Sequence, residues 1–222
     1  MRHGHPKTSA ALLAVLIVCA AANTLWAQPS VGVKGGANLI GWYQVPNAGP
    51  GGTGTNESSA GVVGPYVRMP LLLGLSAQVE GLRRGYGFTR TSGRAGLGST
   101  YREDGSAWEF PVLLLVRSPI GLGGWTPFVN AGPAVRYVTA GWRNSEQQST
   151  PFQIAITETS GRRRQASFGT ALGGGLERRL ALLVGSVEFR WTRWQANQRF
   201  PDLPANQNQA ALLFGIRTGI GR

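Results

Sequence analysis

Leu183-Val184-Gly185-Ser186-Val187-Glu188-Phe189-Arg190-Trp191 decides the fold of this chain. Leu183, Val187, Phe189 and Trp191 fall on one face of an extended strand, and Ser186, Glu188 and Arg190 on the other. Ala107–Arg117 repeats the pattern: Trp108, Phe110, Val112, Leu114 and Val116 share one face, with Glu109 and Arg117 opposite. A period of two with charge on one side and large apolar groups on the other specifies half-buried strands.

The same reading extended along the chain gives eight strands, at residues 32–42, 62–70, 72–84, 107–117, 127–139, 165–177, 181–194 and 208–220. Connections alternate in length. Residues 43–61, 85–106, 140–164 and 195–207 form longer loops; the break at Leu71, residues 118–126 and residues 178–180 form short turns. Short turns on one rim and long loops on the other are expected of an outer-membrane barrel. The fold class expected is therefore all-β, an eight-stranded antiparallel up-and-down transmembrane β-barrel with an N-terminal signal peptide. Thirty-three glycines in 222 residues suit its turns and curvature.

Arg2, His3, His5 and Lys7 precede an apolar run, residues 10–22, which is too short to cross about 30 Å of hydrocarbon as a helix. It reads as a signal peptide spanning residues 1–27, cut after Ala27, with Ala22 as the alternative. Residues 28–222 form the barrel domain. Cys19 lies in the leader, and Val18 before it is too large for a lipidation site. The mature chain then has neither cysteine nor histidine. Disulfides, thiolate or imidazole metal sites, and histidine-dependent hydrolytic triads are excluded together. No enzyme activity and no cofactor are expected.

The formal charge of +12 falls to +10 without the leader. Its arginines are scattered over strands and loops rather than gathered on a helical stripe. An anionic lipid surface, including lipopolysaccharide, is a better partner for them than nucleic acid. Arg162, Arg163 and Arg164 in the third long loop are the candidates for anion contact. Gly49-Pro50-Gly51-Gly52-Thr53-Gly54-Thr55 lacks the Gly-Lys-Ser/Thr ending of a phosphate loop and reads as a flexible external loop.

Lys34, Glu80, Glu109, Arg136, Glu177, Glu188, Arg190 and Arg217 fall on the faces opposite the apolar ones. They are expected to point inward and pair as a structural charge network, because eight strands leave room for side chains but not for a wide pore. A narrow ion path or a binding cavity is the alternative. Trp42, Tyr43, Tyr66, Tyr86, Phe88, Trp108, Trp125, Phe128, Tyr137, Trp142, Trp191 and Trp194 lie mostly near strand ends, as an aromatic belt at the lipid interfaces requires.

The opening Val31-Gly32-Val33-Lys34-Gly35-Gly36-Ala37-Asn38-Leu39 and the stretch Trp108-Glu109-Phe110-Pro111-Val112-Leu113-Leu114 resemble the outer-membrane β-barrel domain family that includes PorT-like proteins. Pro127-Phe128-Val129-Asn130-Ala131-Gly132-Pro133, Gly173-Gly174-Gly175-Leu176-Glu177 and Val187-Glu188-Phe189-Arg190-Trp191 extend the resemblance over nearly the whole mature chain. It implies a bacterial outer-membrane location, with termini and short turns periplasmic and long loops extracellular. It also implies assembly by the barrel-insertion machinery, and no shared catalytic residues. The expected role is structural, accessory or loop-mediated binding. A narrow channel, or a ligand-binding barrel that is soluble and lipocalin-like, is the alternative.

Overall fold

In the computed structural model the described residues are 28–40, 52–56, 60–71, 74–94, 97–149, 153–195 and 207–218. The leader expected at residues 1–27 lies outside them, as do Trp42 and Tyr43. The strands are β1 (Ser30–Asn38), β2 (Thr53–Asn56), β3 (Gly61–Pro70), β4 (Leu75–Glu80), β5 (Leu82–Arg94), β6 (Leu97–Arg117), β7 (Trp125–Ser149), β8 (Ile154–Leu180), β9 (Leu183–Trp194) and β10 (Asn208–Thr218).

All pairings are antiparallel, and the sheet closes on itself. β1 pairs with β10 through Gly32↔Arg217 and with β3 through Ser30↔Arg68. β4 and β5 keep one register against β6, Val79↔Val112 and Leu82↔Glu109, so they are a single strand interrupted at Gly81. Gly64 allows the close approach there: a Cβ on it would run into the carbonyl oxygen of Gly81. β2 continues the line of β3 along the far part of β5.

Two of the expected long loops are strand. Residues 85–106 are β5 running on to Arg94 and β6 beginning at Leu97, paired through Arg94↔Leu97. Residues 140–164 are the far arms of β7 and β8, paired through Ser149↔Ile154. β7 has 25 residues and β8 has 27. At about 3.4 Å per residue each is roughly 85–90 Å long, far more than a membrane strand needs. The two hairpins therefore stand well above the ring. Thr53-Gly54-Thr55, expected to be flexible loop, lies in β2 and pairs with Thr91, Arg90 and Thr89. The turn expected at residues 178–180 is one step later: β8 continues to Leu180, and Ala181 takes a positive φ of 53° in a two-residue connection to Leu183.

The two faces of the sheet divide as the alternation requires. Outside, Val31, Val33, Val67, Val112, Leu114, Val116, Val129, Leu172, Phe189, Phe214 and Ile216 are exposed. Inside, the largest fully buried side chains include Arg68, Lys34, Gln78, Glu80, Glu103 and Glu188 beside Leu113, Leu115 and Leu213. A water-soluble domain has the opposite arrangement. No helix among the described residues is long and apolar enough to cross a membrane, which says nothing about strands.

Candidate functional site

The inward charges form four layers along the lumen. All eight residues expected inside are buried there, and the layers show which of them meet.

The central layer is balanced. Lys34 Nζ donates to Glu80 Oε1 at 2.7 Å and to Glu188 Oε2 at 2.5 Å. Arg190 donates through Nε to Glu188 Oε1 and through Nη2 to Glu80 Oε1, both at 2.8 Å. Asn130 Nδ2 adds a 3.0 Å bond to Glu188. Two cations and two carboxylates from β1, β4 and β9 thus share six hydrogen bonds, to which Asn130 of β7 adds its own. Such density is what allows charges to persist away from water.

The next layer toward the long arms holds Glu109 between two arginines. Arg84 Nη2 donates to its Oε2 at 2.8 Å and Arg136 Nε to its Oε1 at 2.9 Å. The Arg136 guanidinium lies 3.8 Å from the ring centroid of Trp194, whose indole N–H donates to Gln209 Oε1 at 3.1 Å. A cavity of about 20 Å³ lies between this layer and Arg190, lined also by Asn38 and Thr192. It has room for one water and no larger solute.

Above that, Glu103 accepts from the phenols of Tyr86 at 3.0 Å and Tyr101 at 2.7 Å, and from Arg163 Nη2 at 3.2 Å. Arg163 also donates to the Tyr101 oxygen at 3.0 Å. Burial, followed by the hydrogen bond to Glu103, raises the Tyr101 phenol well above the ordinary phenol range. Tyr101 stacks on Trp142 at a centroid distance of 6.3 Å and meets Phe88 in a tilted contact at 5.6 Å. The hairpins are therefore tied together by side chains as well as by their ladders.

The fourth layer lies at the short-turn end. There Glu177 faces Arg68, Arg117 and Arg217.

Arg68, Arg84 and Glu103 belong to this interior and were missed by sequence reading. The alternation Ser76, Gln78, Glu80, Leu82, Arg84, Tyr86 was the available signal, obscured by ending the strand at Arg84. Arg162, Arg163 and Arg164 are not a loop cluster. They occupy β8, where Arg163 turns inward to Glu103 while Arg162 and Arg164 are exposed on the outer face. The aromatic belt also needs correction. Tyr66, Tyr86, Phe88, Phe128 and Trp194 are buried inside, because their positions share the parity of the charged residues. Trp108 and Tyr137 are exposed outside, and Trp108 stacks on Phe110 at 6.2 Å.

On β6 the exposed apolar series runs from Val116 to Trp108 and then changes to Asp104 and Arg102. On β7 it ends at Tyr137, followed by Arg143; on β8 it ends at Phe168, followed by Arg164 and Arg162. The outer surface is thus an apolar band about nine residues tall, the reach of a tilted membrane strand, with a basic fringe on the long-arm side. No group of His, Cys, Asp and Glu among the described residues could hold a metal ion.

No protein-family model and no curated protein matches the sequence, so the PorT-like resemblance gains no support as a specific assignment. Among solved structures the chain is similar to Neisserial surface protein A, at 11% identity and a TM-score of 0.45, covering 86% of this chain and 97% of that one. It is also similar to the N-terminal β-barrel domain of Pseudomonas aeruginosa OprF, at 10% identity and 0.40, covering 86% and 98%. A third similarity is to Ail, the attachment invasion locus protein of Yersinia pestis, at 8% identity and 0.41, covering 86% and 97%.

Proposed function

We infer that the chain is a small barrel of the bacterial outer membrane, built of eight staves once β2 is joined to β3 and β4 to β5. Its role is to hold two rigid hairpins, β5–β6 and β7–β8, outside the cell as a binding surface. The observation that carries this reading is the inverted polarity, an apolar band around a lumen packed with paired charges. Lipid is the solvent that such an outer face fits. The short turns and both barrel termini lie on the periplasmic side, and assembly uses the insertion machinery. The basic fringe, with Arg143, Arg162 and Arg164, meets the phosphates of lipopolysaccharide at the edge of the band.

Catalysis has no part in this reading. Each inward carboxylate is matched by one or more cations, and no carboxylate stands ready as a base. Nor is a pore its purpose, because the central layer fills the lumen. The soluble, lipocalin-like alternative would need an apolar interior, whereas Lys34, Glu80, Glu188 and Arg190 occupy it.

Expression of the full precursor in a double-membraned bacterium tests the reading. The barrel is expected in the outer-membrane fraction, migrating faster on a gel before boiling than after. A soluble periplasmic protein with no heat-dependent shift would overturn it.

A further inference from the structure

The short-turn mouth of the lumen carries charge that the described residues around it do not cancel. Arg68 near the end of β3, Arg117 at the end of β6 and Arg217 near the end of β10 converge on one carboxylate, Glu177 of β8. Arg68 Nη1 is tightly paired with Glu177 Oε1. The other two reach only the edge of contact with Oε2, Arg117 Nε at 3.5 Å and Arg217 Nη2 at 3.4 Å. Three positive charges meet one negative charge, whereas the central layer balances.

Several donors here are also unused. Arg68 Nη2, Arg117 Nε and Arg217 Nε are buried and have no hydrogen-bond partner. Arg68 is 1% exposed and Arg217 8%, so bulk water does not serve their free N–H groups. Burying unpaired guanidinium donors beside one another is costly unless an anion joins them. The neighbours add polarity without adding negative charge. Ser30 Oγ accepts from Arg217 Nη1 at 3.4 Å, Gln78 Oε1 accepts from Arg68 Nε at 2.8 Å, and the Phe128 ring lies 5.9 Å from the Arg68 guanidinium. Arg117 is different: one third of its side chain is exposed, which opens the cluster toward the short-turn rim.

We propose that this mouth is an anion site, taking one small free oxyanion of the phosphate type from the aqueous compartment on the short-turn side. Guanidinium forks fit tetrahedral oxyanions through paired N–H···O bonds, and a divalent anion would cancel the two uncompensated charges. The site lies within the closed sheet, with β1, β3 and β10 hydrogen-bonded around it. That wall favours a free ion over the phosphate of a lipid whose chains lie outside.

The test is calorimetric titration of inorganic phosphate into the full-length chain, refolded in a non-ionic detergent and phosphate-free buffer. Heat-dependent gel migration of the same sample shows that the barrel is closed. One phosphate per chain is expected, bound more weakly as salt rises. Arg117→Glu, at the accessible rim, is expected to weaken binding at least tenfold while the barrel still closes. Glu177→Gln removes the competing carboxylate and is expected to tighten it several-fold. No saturable uptake by the closed barrel would overturn the proposal. So would uptake indifferent to Arg117→Glu, which would mark an adventitious ion only. Short-chain phosphatidylglycerol displacing phosphate with equal strength would assign the mouth to a lipid headgroup and overturn it as well.

Discussion

Lys34 Nζ on β1 and Glu188 Oε2 on β9 meet at 2.5 Å in the middle of the lumen, 154 residues apart in sequence. β10 alone lies between the two strands, so the contact reaches across the β1–β10 seam and forms only after the sheet has closed. Glu188→Gln leaves Lys34 and Arg190 to share Glu80 alone, and is expected to cost roughly 3–5 kcal/mol, as loss of one partner from a buried pair does. Adding Lys34→Met should recover part of that loss. Urea unfolding of the folded barrel in lipid vesicles, followed by heat-dependent migration, measures both.

Gly132 of β7 lies where the ladder to β6 passes from Pro111↔Ala134 to Leu114↔Ala131. A Cβ at Gly132 would run into the carbonyl oxygen of Val112. Gly132→Ala is therefore expected to destabilise by about 3 kcal/mol, the upper end of the range for overpacking, whereas Gly141→Ala higher on the same strand meets ordinary space. Comparing the two unfolding midpoints separates close approach from glycine content.

In the hairpin crown, Tyr101 is hydrogen-bonded to Glu103 and burial holds its phenol proton. Spectrophotometric titration should leave the Tyr101 phenol un-ionised when the exposed phenols have titrated near pH 10, and Tyr101→Phe should shrink the late step by one tyrosine. Since the folded state keeps this proton more firmly than the unfolded chain, the contribution is full below the ordinary phenol range. It declines as pH rises above that range. Arg163→Gln removes the cation beside the pair and should raise the late step further.

The basic fringe makes a separate prediction. Arg162 and Arg164 are exposed just beyond Phe168, the last apolar residue of the band on β8. Replacing both by serine is expected to weaken attachment to vesicles containing lipopolysaccharide by about 1 kcal/mol per arginine. The barrel itself should unfold unchanged. Equal weakening with neutral vesicles would assign the two arginines to another task.

The barrel region was legible because an apolar outer face and packed charge on the inner one impose strong contrast at every second residue. Glu188 against Phe189 could be read at once. The crown was not legible. Residues 97–106 and 140–149 alternate polar with polar, since both faces of a protruding hairpin meet water or a neighbouring arm, and the period of two then has no hydrophobic amplitude. The aromatics failed for another reason. Phe128 is inside and Tyr137 outside, and only strand register separates them. Arg68 was passed over because Pro65 and Gly64 weaken the pattern of β3, although Val62, Tyr66 and Arg68 share its buried face.

The 25-residue and 27-residue arms of β7 and β8 restrict how the crown can change. A floppy loop accepts one added residue anywhere. Here a single insertion would reverse every side chain beyond it in that arm, turning Arg163 out of its contact with Glu103 if it falls in β8, or Trp142 away from Tyr101 if it falls in β7. Tolerated length changes must come in pairs, one residue in each arm for each step, or be confined to the tip. The surface of the crown is thus ordered by its own ladders, and it can diversify by exchanging residues more readily than by gaining or losing them.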